Sequence, residues 1–210
     1  MSERIETKLE KKLNFITHAF GLLLSIVGFI FLINKSLEQS SNVKLISSII
    51  YSTSLIAMYG ASSLYHYLVD SKYSSILQKV DHVSIYLLIA GSYTPGLILK
   101  IHYSLGNEML VIIWFIAIIG IIHKIFFFNY FRKFTLLIYL AMGWLIVIDF
   151  GAVLESFSSY AIILMVSGGL FYTIGTIFYA MDDMKYNHVI WHLFVLGGSI
   201  CHFFMNSSII

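Results

Sequence analysis

Histidine and aspartate side chains occur inside long apolar stretches of this 210-residue chain, where ionisable groups are costly and usually functional. His188 and His192 are four residues apart, so on a helix they project from one face, about 6 Å apart along the axis. This spacing places two histidine ligands of a metal ion on a single helix. Ser62 and His66 have the same spacing, which predicts that Ser62 lies one turn from His66 on the same helix face.

Three neutral imidazoles form a common ligand set for Zn²⁺, with water in the fourth position. His66, His188 and His192 are therefore the candidate zinc ligands. Zinc in such a site activates a water molecule as a nucleophile and polarises a carbonyl group. Asp81 could supply the negative charge that a dication needs, or hold or deprotonate the water molecule. Ser62 could hydrogen-bond to that water molecule or help to polarise a substrate carbonyl.

The elements that must position these residues are apolar segments long enough to cross a membrane. Hydrophobic residues make up 59% of the chain and charged residues 11%, against roughly 25% charged residues in soluble domains. Because a spanning helix needs about 20 apolar residues, we predict an all-α, seven-transmembrane helix bundle. It forms a single domain over residues 1–210, with a short cytoplasmic segment at 1–12. The predicted spans are 14–33, 45–69, 80–99, 108–128, 134–154, 159–180 and 188–208.

The composition also excludes several classes of protein. No room remains for a separate soluble domain, and no basic cluster indicates a nucleic-acid partner. The single cysteine, Cys201, permits neither an internal disulfide nor a cysteine-based zinc site. We therefore expect a multi-pass integral membrane protein.

Lysine and arginine residues predict the orientation. Ten of the 13 fall in segments on the side of the N-terminus, and the other three are Lys35, Lys44 and Lys100. The positive-inside rule then places the N-terminus in the cytoplasm and the C-terminus outside. G-protein-coupled receptors have the reverse orientation, and the last predicted span lacks the lysine that a retinal protein needs. Both common seven-span classes are therefore disfavoured.

In this orientation three helices present ionisable groups at one depth. His66 lies within a turn of the cytoplasmic end of the second span, and Asp81 and His82 begin the third. His188 and His192 occupy the first two turns of the seventh. The predicted depth therefore supports one shared site, although Asp81 and His82 could also simply mark the membrane interface.

The remaining ionisable residues in the spans carry weaker signals. A lone histidine in a membrane helix more often forms an interhelical hydrogen bond than binds a metal. We apply that interpretation to His18, His123 and His202. Asp149 lies toward the outer end of the fifth span, where it could pair with a tyrosine or reach the interface, and we assign it no role.

Ordered motifs along nearly the whole chain carry a family resemblance. They are Glu10, Asn14, Thr17, His18 and Gly21; SSLYH at 62–66; KVDH at 79–82; AGSYTP at 90–95; MGW at 142–144; Gly168, Gly169, Tyr172, Gly175, Phe178 and Tyr179; HVIWH at 188–192; and His202 with Phe203. Through them the chain resembles the hemolysin III group of bacterial membrane proteins. These are related to the adiponectin and progestin receptors, within a wider set of proposed membrane metallohydrolases that includes alkaline ceramidases.

The resemblance implies zinc ligands at His66, His188 and His192, with Asp81 near the zinc-activated water and Ser62 as the serine of the second span. It implies location in a bacterial inner (plasma) membrane. It also implies two possible activities: hydrolysis of ceramide amides, proposed for the receptor branch, and haemolysis by pore formation, suggested for the bacterial branch.

Three functions follow for testing. The favoured one is a zinc-dependent hydrolase of a lipid amide or ester, with membrane lipid as substrate or ligand. A constitutive pore formed by one monomer is disfavoured, because the polar residues cluster at one depth and spans 1, 4, 5 and 6 are almost entirely apolar; a pore formed by an oligomer stays open. A receptor-like protein with structural zinc is the third, although structural sites normally have four protein ligands. An oligomer remains open.

Overall fold

The computed structural model describes residues 6–128 and 132–210, with the side chains of 132–134 left undescribed. Within those residues the chain is helical and has no strand. The helices are α1 (Lys8–Glu38), α2 (Asn42–Tyr67), α3 (Ser74–Leu99), α4 (Gly106–Phe126), α5 (Arg132–Gly143), α6 (Phe150–Ser156), α7 (Ser159–Tyr179) and α8 (Asn187–Ile209). Among the described residues, seven stretches are long and apolar enough to span a membrane, so the predicted all-α, seven-span bundle is confirmed.

The fifth span was predicted as one helix over 134–154, and the structure shows it interrupted. It runs over Thr135–Ser156 and consists of α5, a 3₁₀ turn at Leu145–Asp149 and α6. The Tyr93 hydroxyl of α3 accounts for the break, because it donates to the Gly143 carbonyl at 2.7 Å and accepts from the Ile146 amide at 3.2 Å. A side chain inserted in this way satisfies the backbone groups that an interrupted helix leaves in an apolar environment.

The first helix begins inside the segment 1–12 that was predicted to precede the spans. Glu10 forms a capping box with Thr7: the Thr7 amide donates to the Glu10 carboxylate at 2.8 Å, and the Glu10 amide donates to the Thr7 hydroxyl at 3.3 Å. This arrangement satisfies two amides that a helix start otherwise leaves unpaired. Residues 1–5 of the segment lie outside the described residues.

Helix packing brings the starts of α1, α3 and α8 and the end of α2 to one end of the bundle, which we call the histidine end. Here α2 packs between α1 and α3, and α8 packs against α7, α1 and α3. Lys11 of α1 forms an ion pair at 2.5 Å with Asp70, just beyond α2. The location of this end in the cytoplasm stays a prediction.

Buried polar groups are not confined to the histidine end. Toward the opposite end the hydroxyls of Ser36 and Ser48 lie 2.7 Å apart, and Asn206 donates to the Ser92 carbonyl at 3.3 Å. The single polar depth predicted from the sequence therefore describes the titratable cluster and not the buried serine and asparagine side chains. These serine and asparagine contacts join α1 to α2 and α3 to α8 and stabilise the packing.

Candidate metal centre

His66 of α2 meets His188 and His192 of α8 at the histidine end, and we call these three residues the histidine trio. Each offers a ring nitrogen, and the three nitrogens lie within 4.8 Å of one another. The ring centroids are 4.5 to 5.0 Å apart. Tetrahedral zinc ligands lie about 3.4 Å apart when the zinc–nitrogen distance is about 2.1 Å. Small side-chain rotations therefore suffice to close the trio around one ion.

His66 provides the test of whether a metal ion fits. Its side chain is 5% exposed, and neither of its ring nitrogens has a hydrogen-bond partner among the described residues. A buried polar group without a partner is costly, and a metal ion between the three rings would engage one of these nitrogens. The residues therefore fit a cation that prefers imidazole, a preference shared by Zn²⁺, Cu²⁺, Fe²⁺ and Ni²⁺.

Asp81 and Ser62 lie on the wall of a cavity that His188 and His192 also line. Asp81 is 9% exposed and belongs to the first turns of α3, whereas Ser62 is 1% exposed and lies one turn from His66 on α2. The fold thus brings the five predicted site residues to one region, while their chemical roles stay predictions.

The cavity itself is mostly apolar. It offers about 120 Å³ to the centres of water-sized molecules, and it extends from Asp81 and His188 toward Ser92 and His202. Between these ends its lining includes Ile85, Leu88, Leu136, Trp144 and Val195. Ligand cavities commonly combine an apolar lining with a few polar groups. A long apolar molecule with one polar group would match this distribution.

Helix α1 contributes three contacts that the sequence analysis did not assign to the site. The His18 ring stacks on His192, with centroids 3.4 Å apart and an interplanar angle of 16°. The His192 Nδ1 atom lies 3.0 Å from the Thr17 hydroxyl and 3.2 Å from the Asn14 carbonyl oxygen. His18 therefore does not form the predicted interhelical hydrogen bond, since both of its ring nitrogens lack a partner among the described residues.

The other ionisable residues lie outside the trio. The His202 ring nitrogen lies 3.2 Å from the Met165 carbonyl oxygen of α7, which agrees with the interhelical hydrogen bond expected for it. His123 stacks on Phe127, and His82 meets Phe128 edge-on and accepts from Tyr139 through its backbone carbonyl. The Asp149 carboxylate accepts from the Leu105 amide at 3.0 Å, where α4 begins.

The fold and the trio define a class: a multi-pass integral membrane protein of seven spans, with three imidazoles that could hold a metal ion between its second and last spans. A family model described as haemolysin-III related matches residues 7–203. The chain is 41% identical over 195 residues to the hemolysin-3 homolog of Bacillus subtilis (strain 168), covering 93% of this chain and 92% of the relative. Its identity to hemolysin-3 of Bacillus cereus is 40%, over 93% and 89% of the two chains. The chain belongs to the haemolysin III family.

A more distant similarity reaches an animal protein. The human monocyte to macrophage differentiation factor is 30% identical over 206 residues, which cover 94% of this chain and 83% of that protein. The similarity extends across all seven spans, because the alignment covers nearly the whole of this chain. The family resemblance inferred from the sequence motifs is thereby confirmed.

Proposed function

We propose that this protein is a zinc-dependent hydrolase that cleaves an amide or ester bond of a membrane lipid. The observation that carries the proposal is the position of the trio: His188 and His192 form one end of an apolar cavity whose wall also includes Asp81 and Ser62. Titratable groups gathered at the end of an apolar cavity are typical of an active site. We further propose that the protein is located in the bacterial plasma membrane, with the histidine end in the cytoplasm.

The shape of the cavity supports a lipid substrate. Its apolar lining, which includes Leu88 and Trp144, would contact an acyl chain, and the trio would lie beside the polar junction between chain and headgroup. A carbonyl group at that junction would then lie beside Asp81. A water-soluble substrate would gain little from such a lining, since burying polar groups against hydrocarbon is unfavourable.

The chain's own residues would divide the chemical work. When bound to the trio, Zn²⁺ would supply Lewis acidity toward the carbonyl group and the attacking water molecule. The Asp81 carboxylate would accept a proton from that water molecule as its oxygen bonds to the carbonyl carbon, and would then pass the proton to the leaving amine or alcohol. The Ser62 hydroxyl would donate a hydrogen bond to the oxygen on which negative charge develops.

The test uses purified protein in vesicles that contain a ceramide or an ester lipid, with released fatty acid measured by mass spectrometry. We expect wild type to release fatty acid, and Asp81→Asn to lose about 10²- to 10⁴-fold in rate, the usual contribution of a general base, with its metal content unchanged. Asp149→Asn is the matched control, because its side chain still accepts from Leu105 at a distance from the trio. A fully active, metal-loaded Asp81→Asn protein would refute the assigned mechanism, and metal-loaded wild type without turnover on either lipid would favour a structural ion.

Haemolysis is the second candidate, and the names of the two Bacillus relatives favour it. Membrane permeabilisation by this protein would release a dye trapped in vesicles at a rate that rises with protein density. If permeabilisation depends on the metal centre, His192→Ala should abolish dye release. If the pore is formed by helix packing alone, the His192→Ala protein should still release dye. Vesicles that retain dye at every density while releasing fatty acid would assign the protein to hydrolysis alone.

A further inference from the structure

The His192 ring has two distinct nitrogen atoms, and the structure engages only one of them with α1. The Nδ1 atom lies 3.2 Å from the Asn14 carbonyl oxygen, which can only accept a hydrogen bond. A lone pair on Nδ1 would repel that oxygen, so the contact requires a proton on Nδ1. In a neutral imidazole the lone pair is then on Nε2, the atom left for a metal ion.

The Thr17 hydroxyl reinforces this arrangement. Its oxygen lies 2.9 Å and 3.0 Å from the carbonyl oxygens of Leu13 and Asn14 in its own helix, and 3.0 Å from His192 Nδ1. A hydroxyl has one proton and two lone pairs. Because the proton can go to a backbone carbonyl, a lone pair remains to accept from the His192 N–H group.

The flat face of the His192 ring is held by a second contact. His18 stacks on it in a nearly parallel orientation, and Tyr59 meets His18 edge-on at 5.1 Å between centroids. Two parallel stacked rings cannot aim their nitrogens at one ion, so His18 does not extend the trio to a fourth ligand. Gly21 allows the Tyr59 ring to pack closely against α1, because a methyl group at position 21 would overlap that ring.

The start of α8 is fixed to the same helix. The Glu10 carboxylate, which is 2% exposed, accepts from the Tyr186 amide at 2.7 Å. Tyr186 has φ of 60°, a left-handed conformation, and directly precedes α8. Glu10 therefore sets where α8 begins relative to α1, and this determines how His192 reaches Thr17.

We propose that α1 is the positioning element of the metal centre: the Thr17 hydroxyl and the Asn14 carbonyl fix the proton of His192 on Nδ1 and so present Nε2 to the ion. Hydrogen-bonded partners of this kind orient metal-binding histidines in general, and their loss weakens metal affinity about 10- to 100-fold. The proposal rests on the metal site of the proposed function and adds three residues, Asn14, Thr17 and His18, that hold a ligand without binding the ion.

The first measurement is zinc affinity, by competition with a chelator, in purified full-length protein. Thr17→Val removes the hydroxyl at nearly constant shape, and we expect a loss of about 10- to 100-fold; Thr17→Ser should restore most of the affinity. Thr53→Val is the matched control, since the Thr53 hydroxyl also contacts carbonyls three and four residues earlier but faces away from the trio. Relative to wild type, the visible spectrum of Co²⁺-loaded protein should change in Thr17→Val but not in Thr53→Val. A loss of stability alone would not change this spectrum.

The second measurement needs no metal ion. In ¹⁵N-histidine-labelled, metal-free wild type, the His192 signal, assigned by its loss in His192→Ala, should show a protonated Nδ1 and an unprotonated Nε2. The opposite tautomer, or Thr17→Val protein that binds zinc as tightly as wild type, would overturn the positioning proposal while leaving the hydrolase proposal standing. Wild type with the expected tautomer but no affinity for zinc would overturn the zinc site on which the hydrolase proposal depends, and only the assignment of the His192 tautomer to α1 would stand.

Discussion

Replacing His66 by alanine removes one of the three nitrogen donors of the metal centre and is therefore a direct test of whether the trio binds the ion. Structural zinc sites with four ligands bind with about 10–16 kcal/mol, an average of about 2.5–4 kcal/mol per ligand. A factor of ten in affinity corresponds to about 1.4 kcal/mol, so one ligand is worth about 10²- to 10³-fold. His66 is 5% exposed, so water cannot easily take its place and the full loss is expected.

The assay measures the affinity of purified His66→Ala for Zn²⁺ in chelator buffers, with bound metal counted by mass spectrometry. His123→Ala is the matched control, since that histidine lies in α4 against Phe127 and outside the trio. We expect the control to bind like wild type. Equal affinity in His66→Ala and wild type would show that the ion, if any, is held elsewhere, and the reasoning from the trio's geometry would be wrong.

Two further substitutions test the packing that positions the site, each read as the free energy of unfolding in detergent. Gly168→Ala should destabilise the protein by about 1–3 kcal/mol, the usual cost of overpacking, because the added methyl group would overlap His202. Gly151→Ala is the control and should leave the stability unchanged, since open space surrounds that position. Equal effects of the two substitutions would refute the close contact at Gly168. Ser199→Ala should cost about 0.6–1.7 kcal/mol, because the Ser199 hydroxyl lies 2.8 Å from the hydroxyl of the buried Tyr59 and 2.9 Å from that of the half-buried Tyr172. An unchanged unfolding midpoint would show that these contacts add nothing to stability.

The positions of the spans were predictable because the membrane imposes a length on every apolar segment. The break in the fifth span was not, since its cause is in another helix. The segment around Gly143 and Trp144 is apolar on both sides. Nothing in it indicates that the Tyr93 hydroxyl will form hydrogen bonds with its backbone groups. Local sequence reports what a segment prefers, whereas the interruption depends on a partner about 50 residues away along the chain.

The membership of the histidine trio was predictable for a different reason: helical spacing fixes which residues share a face, and the predicted topology fixes their depth. The same depth criterion applies to His18, which is four residues into the predicted first span as His192 is four residues into the seventh. Depth alone therefore admits His18 and His82 beside the trio, and the orientation of the rings separates His18 from it. The His66 ring meets His192 at 73°, as converging ligands do, while His18 lies at 16° to it and covers its face. That distinction depends on the rotation of α1 against α8, which Glu10 sets through Tyr186, so it belongs to tertiary packing and not to any pattern within one helix.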